Sequence, residues 1–171
     1  MSRPRDFADT ARTIGTNRSH FLVRVVTNTV LDIDGLGNQV VDYNTFGSVV
    51  QNQGSDYNLS TNTYTCPETG IYHFEARCRL DGIGSGFVQC ALGPSGLATD
   101  YNGTGTAEID ALWASSYFLS GSPASNYETI VASTIMKLTA AQTVQHYIIV
   151  ESDSSVTINN RGSSFSGTLI G

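Results

Sequence analysis

Residues 70–80 read Gly-Ile-Tyr-His-Phe-Glu-Ala-Arg-Cys-Arg-Leu, and their alternation constrains the fold more than any other feature of the chain. Tyr72, Phe74, Ala76, Cys78 and Leu80 fall on one side, and His73, Glu75, Arg77 and Arg79 on the other. A period of two is the repeat of an extended strand, whereas a helix would scatter the same residues around its axis. The segment predicts a strand with one face in a core and the other face polar.

The same signal recurs downstream. Ile130, Ala132, Thr134, Met136 and Leu138 alternate, as do Val88, Cys90 and Leu92. Segments 20–26, 39–43, 114–119 and 165–170 are further short strand-like runs. Residues 144–150 are almost continuously apolar around Gln145 and His146, which predicts a strand covered on both faces, by the opposing sheet and a loop or by a neighbouring subunit. The Gly-rich stretch 81–86 reads as a hairpin connection whose register could bring Cys78 and Cys90 close together in the core, and 31–38 reads as a turn. Seventeen glycines and frequent Asn-Gly, Ser-Gly and Asp-Gly steps supply the turns that eight to ten short strands need. The expectation is an all-β, two-sheet antiparallel jelly-roll sandwich over 19–171, one domain with its own core, preceded by an arm over 1–18. The arm is extended or a short helix that joins the domain to something else, or a disordered terminus.

Charge excludes one class of partner. Charged residues make up 14% of the chain, against roughly 25% in an ordinary soluble domain, and the net charge is −6. Of nine Lys and Arg, five (Arg3, Arg5, Arg12, Arg18 and Arg24) lie in the first 24 residues, so the body has no basic face to bind nucleic acid. No run approaches the ~18 apolar residues that suggest a membrane span, and the charged N-terminus does not read as a secretory signal. The chain is expected to stay in the cytosol in which it is made or to leave by lysis; a removed signal is the other possibility. Cys66, Cys78 and Cys90 are odd in number, are spaced by twelve and have no histidine at ligand spacing, which reads as buried reduced thiols and no metal.

The run Tyr57-Asn58 followed by Tyr64-Thr65-Cys66-Pro67 and Gly70-Ile71-Tyr72-His73-Phe74 resembles the signature of the C1q globular-head family. Val40-Val41-Asp42-Tyr43-Asn44 upstream, Lys137-Leu138 with residues 144–150, and the closing Phe165-Ser166-Gly167-Thr168-Leu169-Ile170 resemble further parts of it. The turn 139–143 departs from the family pattern, segment 93–128 matches nothing in it, and no collagen-like stalk precedes the domain. The resemblance covers about 20–171. It implies a C1q/TNF-type trimer, with the apolar 144–150 strand as the expected contact surface. Ser2-Arg3-Pro4-Arg5-Asp6-Phe7-Ala8-Asp9 resembles short segments of bacteriophage tail-fibre proteins. That resemblance implies a virion protein made in the bacterial cytosol, bound to other tail proteins through the arm. An extracellular location is the alternative.

Catalytic signals are weak. His20, His73 and His146 accompany no nucleophile elbow. Asp32 and Asp34 sit in a Gly-rich turn, where Asp bonds its own backbone. Asp32-Ile33-Asp34-Gly35 is a fragment of a calcium loop with no carboxylate at its far end, and Glu151-Ser152-Asp153 is a second candidate oxygen cluster; neither completes a motif, so no cofactor is expected, and calcium is the alternative. Asn17, Asn58 and Asn102 open glycosylation sequons, a pattern that a chain rich in Asn, Ser and Thr produces by chance. Segment 93–128 is more informative. It carries Tyr101, Trp113, Tyr117, Phe118 and Tyr127 among small polar residues, a composition suited to recognition or to covering the barrel end. Tyr101, Trp113 and Tyr127, with Asp100, Asn102 and Asn126 to bond hydroxyls, are the candidate contacts for a host-surface glycan or protein. Three functions remain open: a receptor-binding tip, a structural trimerisation head, and an enzyme such as a glycan depolymerase, which lacks a catalytic constellation.

Overall fold

A computed structural model describes residues 18–30, 37–82, 86–97, 112–120, 128–152 and 156–171. They form thirteen strands: β1 (His20–Val25), β2 (Thr29–Val30), β3 (Gly37–Val40), β4 (Gly47–Gln53), β5 (Tyr57–Asn58), β6 (Thr63–Thr65), β7 (Gly70–Asp81), β8 (Gly86–Gly93), β9 (Ala114–Ser120), β10 (Glu128–Leu138), β11 (Thr143–Ser152), β12 (Thr157–Ile158) and β13 (Ser164–Leu169). One helical turn, α1 (Tyr43–Phe46), interrupts them. The count exceeds eight to ten because four strands have only two or three residues and carry no periodic signal.

The strands make two antiparallel sheets. The larger runs β10-β7-β13-β1-β4, with β12 and β2 continuing from the far end of β7. The smaller runs β5-β6-β11-β8-β9, with β3 also on β11. Chain order therefore alternates between the sheets: β7 in one, β8 and β9 in the other, β10 back, β11 across again. Residues 81–86 are consequently not a hairpin connection. Asp81 ends a strand of one sheet and Gly86 opens a strand of the other. Cys78 and Cys90 do come together, but across the sandwich and not along a shared ladder.

The alternation in β7 is realised in full: Tyr72, Phe74, Ala76, Cys78 and Leu80 are completely buried. They meet an aromatic cluster in which Phe21 stacks on Tyr57 and Tyr64, each at 4.8 Å, and meets Phe165 edge-on at 4.7 Å. Gly167 makes this possible, because a Cβ there would lie 2.5 Å from two Phe74 ring carbons and 2.6 Å from Phe21. Gly70, at the start of β7, leaves room for the closing residues, since a Cβ there would meet Leu169 at 2.5 Å and the Gly171 carbonyl at 2.9 Å.

Two further expectations change. Residues 39–43 are not one strand: β3 stops at Val40, and Tyr43 begins α1. Asp42 caps that turn, accepting from the Asn44 and Thr45 amides at 3.0 and 3.2 Å. The second change concerns β11, which is buried on both faces as its apolar run implies. The chain itself covers the outer face, so 144–150, expected as a contact surface, offers no exposed face to a neighbouring subunit. Gln145 Nε2 donates to the Thr61 carbonyl and to Thr63 Oγ1, both at 2.9 Å, and the Tyr147 hydroxyl donates to the Pro94 carbonyl at 2.6 Å.

Candidate functional site

The outward face of the larger sheet is where exposed apolar side chains gather. On β7 and β10 the residues between the buried ones point outward, and register sets His73 opposite Ile135, Arg77 opposite Val131 and Ile71 opposite Lys137. Ile135 and Ile71 are thus diagonal neighbours, a separation that long side chains bridge. Ile170 sits beside Ile71, its amide bonded to the Ile71 carbonyl at 2.8 Å. Ile135 is 65% exposed, Ile71 44%, Val131 41% and Ile170 39%, values at odds with a face meant only for water.

The rest of this face is polar. His73 Nε2 lies 3.1 Å from Ser133 Oγ. A shallow groove of about 350 Å³ runs between His20, Leu22, Gln51, His73, Ser166 and Thr168. At one end, Arg24, Arg77 and Arg161 line a depression of about 370 Å³ with Asn160 and Ser164. Arg24, Ser164 and Arg77 stand in one row across β1, β13 and β7.

Below this sheet lies a buried polar constellation. Cys78, Cys90 and His146 are at most 1% exposed, and His146 Nε2 is 3.3 Å from both sulphurs. Its Nδ1 is 2.8 Å from the Tyr43 hydroxyl. Cys78 and Cys90 hold their protons unequally. Contact with Cys90, and then burial, pushes the Cys78 thiol up. Contact with Cys78, against burial and with help from His146, pulls Cys90 down. Cys90 Sγ donates to the Ala76 carbonyl at 3.6 Å. Burial and then the neighbouring Cys78 push the Tyr43 hydroxyl up. Sequence reasoning allowed Cys78 and Cys90 to meet but missed His146 and Tyr43, because spacing along the chain cannot place β11 against β7 and β8. The one available signal was a histidine inside an apolar strand.

Of the recognition residues expected from sequence, Trp113 is described: it packs partly buried against the core, and its amide donates to the Leu92 carbonyl at 2.8 Å. Asp100, Tyr101, Asn102, Asn126 and Tyr127 lie outside the described residues, as do Asn17, Asp32, Asp34 and Asp153, the side chains of Tyr117, Phe118 and Glu151, and arm residues 1–17. The arm's last residue, Arg18, donates from Nη1 to the Ile170 carbonyl at 2.6 Å. Asn58 is exposed, but its Oδ1 accepts from the amide and hydroxyl of Ser60 at 3.0 and 2.7 Å. His20 opens β1 with Nδ1 3.2 Å from the Arg18 carbonyl. All three cysteines are free and buried, and burial, with Asp56 nearby, pushes the Cys66 thiol up to about 11.

No protein-family model matches the sequence, and no curated protein does. Solved structures do. Murine APRIL, crystallised at pH 5.0, superposes with a TM-score of 0.59 at 11% identity, covering 90% of this chain and 99% of that one. The globular domain of zebrafish complement 1qA protein gives 0.57 at 15% identity, covering 90% and 98%. Eiger TNF from S. frugiperda gives 0.55 at 10%, covering 90% and 92%. At these identities the likeness establishes architecture alone: the chain adopts the two-sheet antiparallel jelly roll of TNF and C1q domains.

Proposed function

We propose that this chain is a non-enzymatic binding module that assembles as a homotrimer through the outward face of its larger sheet, and that it forms the receptor-binding tip of a phage tail fibre. The observation that carries the reading is the exposed set Ile71, Val131, Ile135 and Ile170 on one sheet face. An isolated subunit leaves that area in water. A closed threefold assembly buries it without leaving an open edge. Jelly-roll neighbours of the TNF and C1q type support the same arrangement. The tail-fibre context is supported by the resemblance of residues 2–9 to segments of such proteins. Recognition is assigned to the loops within 93–128, because strands must spend alternate residues on the core and leave adaptable contacts to loops. Several copies per particle would convert weak individual contacts into firm attachment.

The test is mass by light scattering at micromolar concentration. The wild type should be trimeric. Ile135→Asp, which places a charge on the most exposed of the four apolar side chains, should shift it to monomer while leaving the circular dichroism spectrum unchanged. A monomeric wild type would overturn the reading.

A further inference from the structure

Cys78, Cys90 and His146 come from β7, β8 and β11, two sheets and three strands, and their donor atoms all lie within 4.8 Å of one another. Nothing in a binding module of this architecture requires two thiols and an imidazole to meet in the core. Buried polar groups cost stability unless they have partners, and apolar residues of the same size would fill the space more cheaply.

The geometry matches an ion. Tetrahedral zinc has Zn–S of about 2.3 Å and Zn–N of about 2.0–2.1 Å, which sets sulphur and nitrogen about 3.5 Å apart. His146 Nε2 stands 3.3 Å from each sulphur, within a few tenths of an ångström of that spacing, and all three donor atoms lie within 4.8 Å of one another, against about 3.8 Å for two sulphurs on one tetrahedral zinc. The imidazole is already oriented by a second bond, Tyr43 at its Nδ1, as histidine ligands commonly are. Tyr43 is itself fixed from outside: its amide donates to Asn62 Oδ1 at 2.9 Å, and Asn62 Nδ2 donates to the capping carboxylate of Asp42 at 3.1 Å.

We propose that Cys78, Cys90 and His146 bind one Zn²⁺ ion between the two sheets. Charge selects the class of metal. Two thiolates and a neutral imidazole balance a divalent ion, leaving no net charge in the core, whereas a monovalent soft ion on the same set would leave an uncompensated negative charge. On loading, each thiol releases its proton to solvent, the hydrated ion gives up water ligands as two Zn–S bonds and one Zn–N bond form, and no electron is transferred. Three protein donors leave one position of the tetrahedron to a non-protein ligand. Because the donors are enclosed, loading accompanies folding, and the ion would fasten β7 to β8 and β11 across the sandwich.

The experiment uses the full chain, unfolded with chelator and reductant and refolded with Co²⁺ as a spectroscopic stand-in, with excess metal removed by gel filtration. The expected result is one Co²⁺ per chain with thiolate-to-cobalt charge-transfer absorption, displaced by Zn²⁺. Cys66→Ser should retain the absorption, since Cys66 is not among the three donors, and Cys90→Ser should lose it. Tyr43→Phe keeps every donor and should weaken affinity about tenfold. A wild-type chain that regains its native circular dichroism and carries no cobalt overturns the proposal, whether or not the core variants fold. Absorption lost in Cys66→Ser and kept in Cys90→Ser overturns it as well. Trimer formation is measured separately, so failure here leaves the oligomer reading intact.

Discussion

The hydroxyl of Tyr43 lies 2.8 Å from Nδ1 of His146, joining residues 103 apart in sequence. Both are buried, so the bond has no competing water. Tyr43→Phe should cost about 1–3 kcal/mol, because it strands a buried ring nitrogen. Tyr57 is the contrast. Its hydroxyl is buried without a hydrogen-bond partner among the described residues. Tyr57→Phe removes a group that has lost water and gained nothing, and should be neutral or stabilising. Urea unfolding of the two variants checks the pair; equal losses would refute the assignment.

Gly167→Ala should be among the most damaging single substitutions. The added methyl would stand 2.5 Å from two ring carbons of Phe74, inside a cluster of stacked and edge-on rings with no direction in which to retreat. Overpacking of this kind costs about 1–3 kcal/mol or more. Thermal melting should show a clear drop, whereas Gly96→Ser should be milder: a Cβ there meets nothing within 4 Å among the described residues, though its φ of +82° still brings some strain.

Asp42 gives a pH signature. Burial alone would raise its carboxyl, but hydrogen bonds from Thr45, Asn62 and the Asn44 amide outweigh it and hold the group below the usual carboxylate value. A carboxyl lowered on folding contributes stability that is fully present above its unfolded value and is lost as pH falls through the folded one. Asp42→Ala should therefore cost about 1 kcal/mol at neutral pH, the usual worth of a cap. The gap should close below about pH 4, near the unfolded aspartate value. Denaturant midpoints for both proteins at pH 7 and pH 3 measure it.

Tyr101 and Tyr127, proposed as recognition residues, should be separable from the fold. Alanine at both positions should leave the melting temperature and the trimer mass unchanged and reduce adsorption to host cells by about tenfold or more once multivalency is lost at every copy. Unchanged adsorption would move the binding surface elsewhere and favour a structural head with no receptor of its own.

What the chain's own order determined is local and periodic. The alternation in 70–80 places five side chains in the core of β7 because successive strand residues must face opposite ways, whatever else the chain does. The same reasoning recovers β10 and β13, and the continuous apolar run of β11 forecasts its burial on both faces. Tertiary structure alone decided which sheet each strand joined. A Gly-rich link from β7 to β8 is compatible with a hairpin or with a crossover, and only the partners waiting at the sheet edges choose between them. From that choice follow the contacts no spacing announces: His146 against both Cys78 and Cys90, Tyr43 behind it, and Gly70 leaving room for Leu169 and Gly171. Periodicity is a property of adjacent residues, whereas a site made by three strands of two sheets depends on how distant segments close on one another.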